Sequence, residues 1–577
     1  MNARPWFRRI LVLLTALFVA GPAASARAAD KDNPGQATLD KAIDKKLDAE
    51  KYEELAEVIK LTEQALKEGL DEPNTAFAKN LLAGTYNQRG LTLAEMTLQA
   101  AQRDPNRPQW QQLRAGALGD LEKVVEIDPT AAEAHFAIAR LQLLPAGKKD
   151  RAKTAVDKAI ELSGGNAALQ AKALLTRVDL TEDAEQQQTD LDKAVKLMPK
   201  EKEYIRARGI FNLLRSGKKE DDKTKQEARL KAALSDFDAS LAIDSADDAT
   251  EHLRGLTLME MNQAEEADKA FTKALELNGK NPQTRVQRAR ARIALKKYDA
   301  AIEDLNVGLE REPSNPALLL LRARVLQMLN KTEDAQKDVE AALAKRPGMP
   351  EGLHLRALLA SSSGDFGRAI ADCEEILKLA PDNVQLLMQI GLLHSAAKQP
   401  RKAIERYTAV LDKLKDKEGN DIEKEKYAAL RSRGDAYLGV GKHAEAIADF
   451  EVAYKVKPRD SGLLNNLAWV LATSPDDKLR DGKRAVELAK AACEETEYMA
   501  PHILSTLAAS YAETGNWDEA QKTIAKALEL KPDEEHLDQL QKEQKTYEKK
   551  EPWRELQNEP DAETPKNRVS VGVGEKD

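Results

Sequence analysis

The chain has 577 residues, with 97 acidic against 89 basic, a formal net charge of −8, 42% hydrophobic residues and 4% aromatic. That length exceeds what one hydrophobic core organises and points to several domains or a repeat array, while the charged, aromatic-poor mixture is that of many amphipathic helices and excludes strand-rich, collagen-like and wholly disordered chains. The acidic balance argues against a nucleic-acid partner, since phosphate binding rests on clustered Lys and Arg.

Residues 1–28 read as an export signal. Arg4, Arg8 and Arg9 precede the apolar run Ile10 to Ala20, and Ala26-Arg27-Ala28 forms an A-x-A cleavage site. The run is too short for a membrane anchor, and no later apolar run approaches the roughly 20 residues that span a bilayer, so a periplasmic or secreted location is expected. No Cys follows the signal's apolar run, which excludes lipoprotein acylation. Removal of this segment deletes four Arg and no acid and moves the formal charge from −8 to −12. Residues 29–37 read as a flexible mature N-terminus. Residues 38–200 read as divergent helical repeats: a hairpin from Leu39 to Pro73, the long stretch Thr75 to Arg103, and units ending at Asp128-Pro129 and Met198-Pro199. A further unit over 201–247 carries a charged insertion, Lys218 to Lys225.

Residues 248–411 are regular. Segments beginning at Asp248, Pro282, Pro316, Pro350 and Val384 follow one another at 34-residue steps. Position 8 is small in each (Gly255, Ala289, Ala323, Ala357, Gly391), as is position 20 (Ala267, Ala301, Ala335, Ala369, Ala403), which permits close helix approach. Positions 24 and 27 lie on one helical stripe, beginning with Phe271 and Ala274. Pro313, Pro347 and Pro381 stand at position 32 and stop the second helix. Each unit is therefore two antiparallel helices and a turn. An insertion occupies 412–426, and repeats resume over 427–532. One copy opens at Tyr427, a second at Ser461 is interrupted by about six residues near Ser474-Pro475-Asp476-Asp477, and a last one holds Leu504, Ala508, Tyr511, Gly515, Trp517 and Ala520. Residues 533–555 read as a capping helix, Glu534 to Arg554, and 556–577 as a disordered tail.

A 34-residue helix pair with small residues at 8 and 20, an apolar residue at 24 and Pro at 32 resembles the tetratricopeptide repeat. Leu464-Asn465-Asn466-Leu467-Ala468-Trp469 further resembles a phrase of exported bacterial members whose roles are mostly unassigned. The resemblance implies an all-α fold, an α-solenoid of roughly twelve helix pairs in a right-handed superhelix, and a non-enzymatic scaffold. It also implies a groove lined by first helices that takes an extended peptide or partner helix. The alternatives are an envelope spacer without a ligand and an accessory subunit of an enzyme complex.

No motif in the chain carries catalytic or cofactor chemistry. There is no GxxxxGK[ST] loop, GxGxxG, HExxH or CxxC, and none of the seven His pairs at i, i+3 or i, i+4, so neither metal nor cofactor is expected. Cys373 and Cys493 fall in non-neighbouring repeats, too far apart for a disulfide, and are expected to be buried free thiols. Arg at position 7 (Arg208, Arg254, Arg288, Arg322, Arg356, Arg433) recurs with Asp at position 23 (Asp236, Asp304, Asp338, Asp372, Asp449), either as a ladder of bridges or as an anion-binding strip.

The groove face predicted from positions 2, 5, 9 and 12 of the first helices includes Arg290, Arg324, His354, Arg431, Asp435, Asn465 and Trp469. Asn466 stands at position 6, where related repeats use Asn to bond a ligand backbone, whereas the family's Lys-rich carboxylate clamp is not matched. Arg431, Asn465, Asn466 and Trp469 are expected to be the most partner-ready stretch. A protein or peptide partner and a monomer or weak oligomer are expected, because a capped, acidic array resists end-to-end stacking.

Overall fold

The computed structural model describes residues 33–49, 51–104, 109–217, 222–531 and 534–555; the expected export signal and the tail 556–577 lie outside them. Among the described residues the elements are helices, apart from one short 3-10 turn at Asp477–Leu479, and there is no strand. The chain divides into two units, residues 1–291 and 292–577.

In the first unit the helices pair in chain order. Gln36–Asp48 packs on Leu55–Glu68, Glu72–Arg103 on Gln109–Ile127, and Ala132–Gln142 on Lys149–Leu162. Ala167–Val178 then packs on Ala184–Leu197, Lys202–Ser216 on Lys223–Ile243, and Asp248–Glu260 on Ala264–Leu277. In the second unit the pairs are Pro316–Met328 with Thr332–Lys345, Pro350–Ser362 with Phe366–Leu379, and Val384–Ala396 with Pro400–Leu414. Asn420–Gly439 with His443–Val456, Ser461–Thr473 with Gly482–Glu495, and Pro501–Glu513 with Trp517–Glu529 follow. Residues 223–225 and 420–426 of the stretches read as insertions lengthen helices, Lys223–Ile243 having 21 residues and Asn420–Gly439 having 20, while 218–221 lie outside the described residues.

Local chemistry sets these boundaries. First helices open on caps such as Asn315, Asn383 and Asp460, whose side chains accept from backbone N–H groups of the first turn, and Pro316 and Pro350 sit where a missing N–H costs nothing. The turn between the two helices repeats one left-handed residue at position 15: Asn262, Lys296, Asn330, Gly364, Lys398, Gly441 and Gly515 all have φ between 56° and 80°.

The pairs close through a size match between positions 8 and 24. A Cβ on Gly255 would meet the Phe271 ring at 2.5 Å, one on Gly391 the Tyr407 ring at 2.5 Å, and one on Gly434 the Phe450 ring at 2.4 Å. Where position 8 is Ala, as in Ala323 and Ala357, position 24 is the smaller Val339 or Cys373, and all four are buried. Glycine or alanine is thus chosen by the volume of the side chain facing it, as close packing requires.

The Arg residues at position 7 form a ladder that works both within and between pairs. Arg322 reaches both carboxylate oxygens of Asp338 at 2.7 Å, and its third nitrogen bonds Asn306 of the preceding second helix at 2.6 Å. Arg356 does the same with Asp372 and Glu340, and Arg433 with Asp449 and Thr408. Arg254, whose repeat has no Asp at position 23, reaches back to Asp238 at 2.6 Å, and Asp304 accepts from Arg292 at 2.9 Å. Asp338, Asp372 and Asp449 are buried, unlike exposed pairs worth about 0–1 kcal/mol, so removal of their Arg would strand a charge out of water.

Candidate partner groove

The predicted groove residues fall into two groups. Arg431, Asp435, Asn465, Asn466 and Trp469 come together in the second unit, on Asn420–Gly439 and Ser461–Thr473. Arg324 and His354 are exposed on the first helices of their own repeats, and Arg290 is exposed in the first unit; nothing ties these three to the cluster.

Within the cluster the side chains form a hydrogen-bonded chain. Asn465 Nδ2 donates to Asn466 Oδ1 at 3.0 Å, and Asn466 Nδ2 donates to Asp435 at 2.7 Å. Asp435 keeps contact with solvent, but protein atoms crowd it, and the resulting desolvation holds its carboxyl above the ordinary carboxylate range. Arg431 donates to Asp460 at 3.2 Å; Asp460 also caps Ser461–Thr473 through the Leu463 N–H. Burial pushes the neighbouring Tyr427 phenol up to about 12, and Lys457 stacks over its ring at 4.4 Å.

Asn465, Asn466 and Trp469 line a cavity of about 200 Å³ together with His502, Ser505 and Thr506 of Pro501–Glu513. Trp469 is half-buried, and its indole N–H donates to Glu555 at 3.0 Å. Asn465 Oδ1 is buried without a hydrogen-bond partner, an acceptor left for a donor to satisfy. Ser505 turns its hydroxyl away from the cavity's solvent side to the buried carboxylate of Glu543, at 2.7 Å. The first unit has its own concavity of about 300 Å³, more apolar, where Leu91, Leu98 and Phe136 meet Arg140, Asn166 and Lys172.

Three features escaped the sequence. Pro501–Glu513 contributes His502, Ser505 and Thr506, and the signal that could have found the first two is their place at positions 2 and 5 of the repeat, on the face the position rule selects. The capping helix ends at Glu548, not Arg554, and packs through Leu540, Tyr547 and the carboxyl-bearing Glu543, all buried. The residues after it, 549–555, return to Ser461–Thr473, as the Glu555 contact shows.

Among the described residues no group of three or more His, Cys, Asp or Glu could hold a metal ion. Cys373 and Cys493 are free and buried, as expected, and burial pushes their thiols up to about 11 and about 12, so both stay protonated and inert. The site offers amide, hydroxyl and imidazole groups beside an indole. No described helix is long and apolar enough to cross a membrane.

Family models described as tetratricopeptide repeat match residues 258–324, 320–384, 388–463 and 501–534. No curated protein matches the chain. Among solved structures, a tetratricopeptide repeat protein from Parabacteroides merdae is 17% identical, with 45% of this chain covering 97% of that one at a TM-score of 0.31. PilF of Pseudomonas aeruginosa is 20% identical, covering 40% of this chain and 94% of that one at 0.29. The Cut9–Hcn1 hetero-tetramer of the APC/C is 13% identical, covering 84% of this chain and 97% of that one at 0.30.

Proposed function

The chain belongs to the tetratricopeptide repeat family, and on that premise we propose that it is a non-enzymatic binding scaffold whose groove in the second unit takes an extended peptide of a partner protein. The observation that carries this reading is the cavity beside Asn465, Asn466 and Trp469. It joins an unsatisfied buried acceptor to a half-buried indole, which supplies both a main-chain anchor and a large contact area at little entropic cost. Arg431 and Asp435 flank it as a charged rim that sets orientation rather than affinity.

The test is a photo-crosslinking residue placed at Asn465 and, as a control, at the exposed Lys522 on a second helix. In extracts of the producing cell the Asn465 position is expected to capture a discrete partner that the Lys522 position does not, and Trp469→Ala should weaken that capture while leaving helicity unchanged. Equal capture from both positions, or none from Asn465, would overturn the reading. We propose in addition that the protein is exported and acts in the periplasm or outside the cell, on the strength of residues 1–28 alone. N-terminal sequencing of the native protein should then begin at Ala29; recovery of the full-length chain from cytosol would refute export.

A further inference from the structure

After Glu548 the chain does not drift away. Lys550 takes the left-handed conformation (φ 58°), and the Glu551 N–H bonds back to Thr546 O at 3.1 Å, a helix-ending turn that sends the next residues across the repeats. Five contacts then seat residues 553–555. Trp553 packs, half-buried, against the second unit's core. Arg554 pairs with Glu513 at 2.6 Å and donates to Ala472 O at 3.3 Å. The Glu555 N–H donates to Thr473 O at 3.0 Å, and the Glu555 carboxylate accepts from the Trp469 indole.

Each partner is a recognition group. Ala472 and Thr473 carry carbonyls of the last helical turn, which have no intrahelical donor and attract positive charge. Glu513 is also gripped by Arg480 at 2.8 Å, so Arg554 is its second cationic partner. The Trp469 indole borders the cavity described above. An irregular segment held by one main-chain bond, one ion pair, one ring and one carboxylate is bound in the manner of an extended peptide.

We propose that residues 552–555 are an intramolecular occupant of a peptide site across Ser461–Thr473 and Pro501–Glu513, and that the site takes in trans an extended segment of aromatic–basic–acidic sequence. This deepens the scaffold reading and rests on it. The chain's own segment competes with the partner. Because it is tethered, its local concentration is on the order of millimolar, and a partner must displace it before it binds.

The probe is a fluorescein-labelled peptide of residues 550–557, titrated by anisotropy into full-length chains. The double variant Trp553→Ala/Arg554→Ala should bind it at least about tenfold more tightly than wild type, because the tethered competitor is gone. Adding Glu513→Gln to that variant should remove most of the gain, and adding Trp469→Phe, which deletes the indole donor, should weaken binding several-fold. Glu555→Gln alone, a milder release, should give a gain of about threefold.

A folded double variant that binds no tighter than wild type would overturn the proposal, and so would one that loses thermal stability and still ignores the peptide, because the segment is then only a cap. If the double variant fails to fold, Glu555→Gln decides in the same terms. The two readings fail differently. Tighter peptide binding with nothing captured at Asn465 removes the scaffold reading and leaves the occupant. Equal capture at Asn465 by wild-type and released chains removes the occupant and leaves the scaffold.

Discussion

The long N-terminal pair, Glu72–Arg103 with Gln109–Ile127, has helices of 32 and 19 residues; the regular pair Pro350–Ser362 with Phe366–Leu379 has 13 and 14. Both close in the same way. Arg356 grips the two oxygens of Asp372, 16 residues on, at 2.8 and 2.6 Å; Arg89 grips those of Asp120, 31 residues on, at 2.7 Å each. Next to each Arg is a small residue under an apolar one: Ala357 at position 8 in the regular pair, and Gly90, whose Cβ would meet Leu121 at 2.9 Å, in the long pair. The clamp recurs at 13 residues in Arg177–Asp190 and at 28 in Arg208–Asp236. What repeats through the molecule is a contact between two helices. The 34-residue spacing is that contact's expression where both helices happen to be of standard length.

If the clamp is the common element, breaking it should hurt both regions alike, and this is the largest effect expected. Arg356→Ala leaves the Asp372 carboxylate buried without its bidentate partner, and Arg89→Ala does the same to Asp120. Each should cost about 3–5 kcal/mol in urea unfolding, while replacing both members of a pair by apolar residues should cost far less. A loss confined to Arg356→Ala would mean that the long pair is held by something else.

The second effect is steric. Gly434→Ala pushes a methyl into the Phe450 ring and should destabilise by about 1–3 kcal/mol, whereas the same change combined with Phe450→Leu should recover most of it, because that combination is the Ala-with-smaller-residue pairing already found at Ala323 and Ala357. A double-mutant cycle reads the coupling directly. Gly90→Ala against Leu121 carries the comparison into the long pair: Leu121 is more flexible than a ring, so its penalty should be the smaller of the two.

These contacts also mark what the sequence could disclose. The 34-residue step, the small residues at 8 and 20 and the Arg–Asp recurrence are visible wherever the helices are of standard length, so the fold and most of the ladder can be read from the letters alone. Arg89–Asp120 and Arg177–Asp190 cannot, because helix length changes the separation of two residues that touch without changing either residue. The cluster of Arg431, Asp435, Asn465, Asn466 and Trp469 follows from helical periodicity on adjacent first helices. The Glu555 contact does not: it joins residues 86 apart through a segment with no period, whose charged composition continues smoothly from the helix before it.

Acid should separate the regions next. Burial lowers the imidazole pKa of His252, His394 and His443 below the ordinary 6.5, so each is held neutral in the folded chain. A lowered folded value means that unfolding takes up protons: this stabilisation is complete above about pH 6.5 and is lost as pH falls from there toward the folded values. Glu543, whose carboxyl is raised by burial, works with the opposite sign, being favoured in its neutral form as pH falls. A global melt therefore mixes the two. Hydrogen exchange at pH 7.5 and 5.5 resolves them, with faster exchange at the lower pH, after correction for intrinsic rates, expected in Val384–Ala396 and His443–Val456 and not in Glu72–Arg103.

The smallest effect concerns the turns, where the regular repeats differ among themselves. Gly364, Gly441 and Gly515 occupy the left-handed position 15 without strain, but Lys296 and Lys398 occupy it at φ 59° and 56° with a Cβ against the following carbonyl. That conformation costs a non-glycine residue about 1 kcal/mol. Against this, glycine adds backbone entropy to the unfolded chain, about 0.4–1 kcal/mol in its favour. Lys398→Gly should accordingly gain only a few tenths of a kcal/mol, whereas Gly441→Lys, which adds the steric cost and removes chain entropy from the unfolded state, should change stability by a similarly small amount in the opposite direction. Lys442, next to Gly441, lies over the Tyr437 ring at 5.8 Å, so a second Lys there also brings like charge to that contact and should tilt Gly441→Lys further toward loss. A change of more than about 1 kcal/mol in either exchange would mean that strain or chain entropy alone decides the residue at this turn.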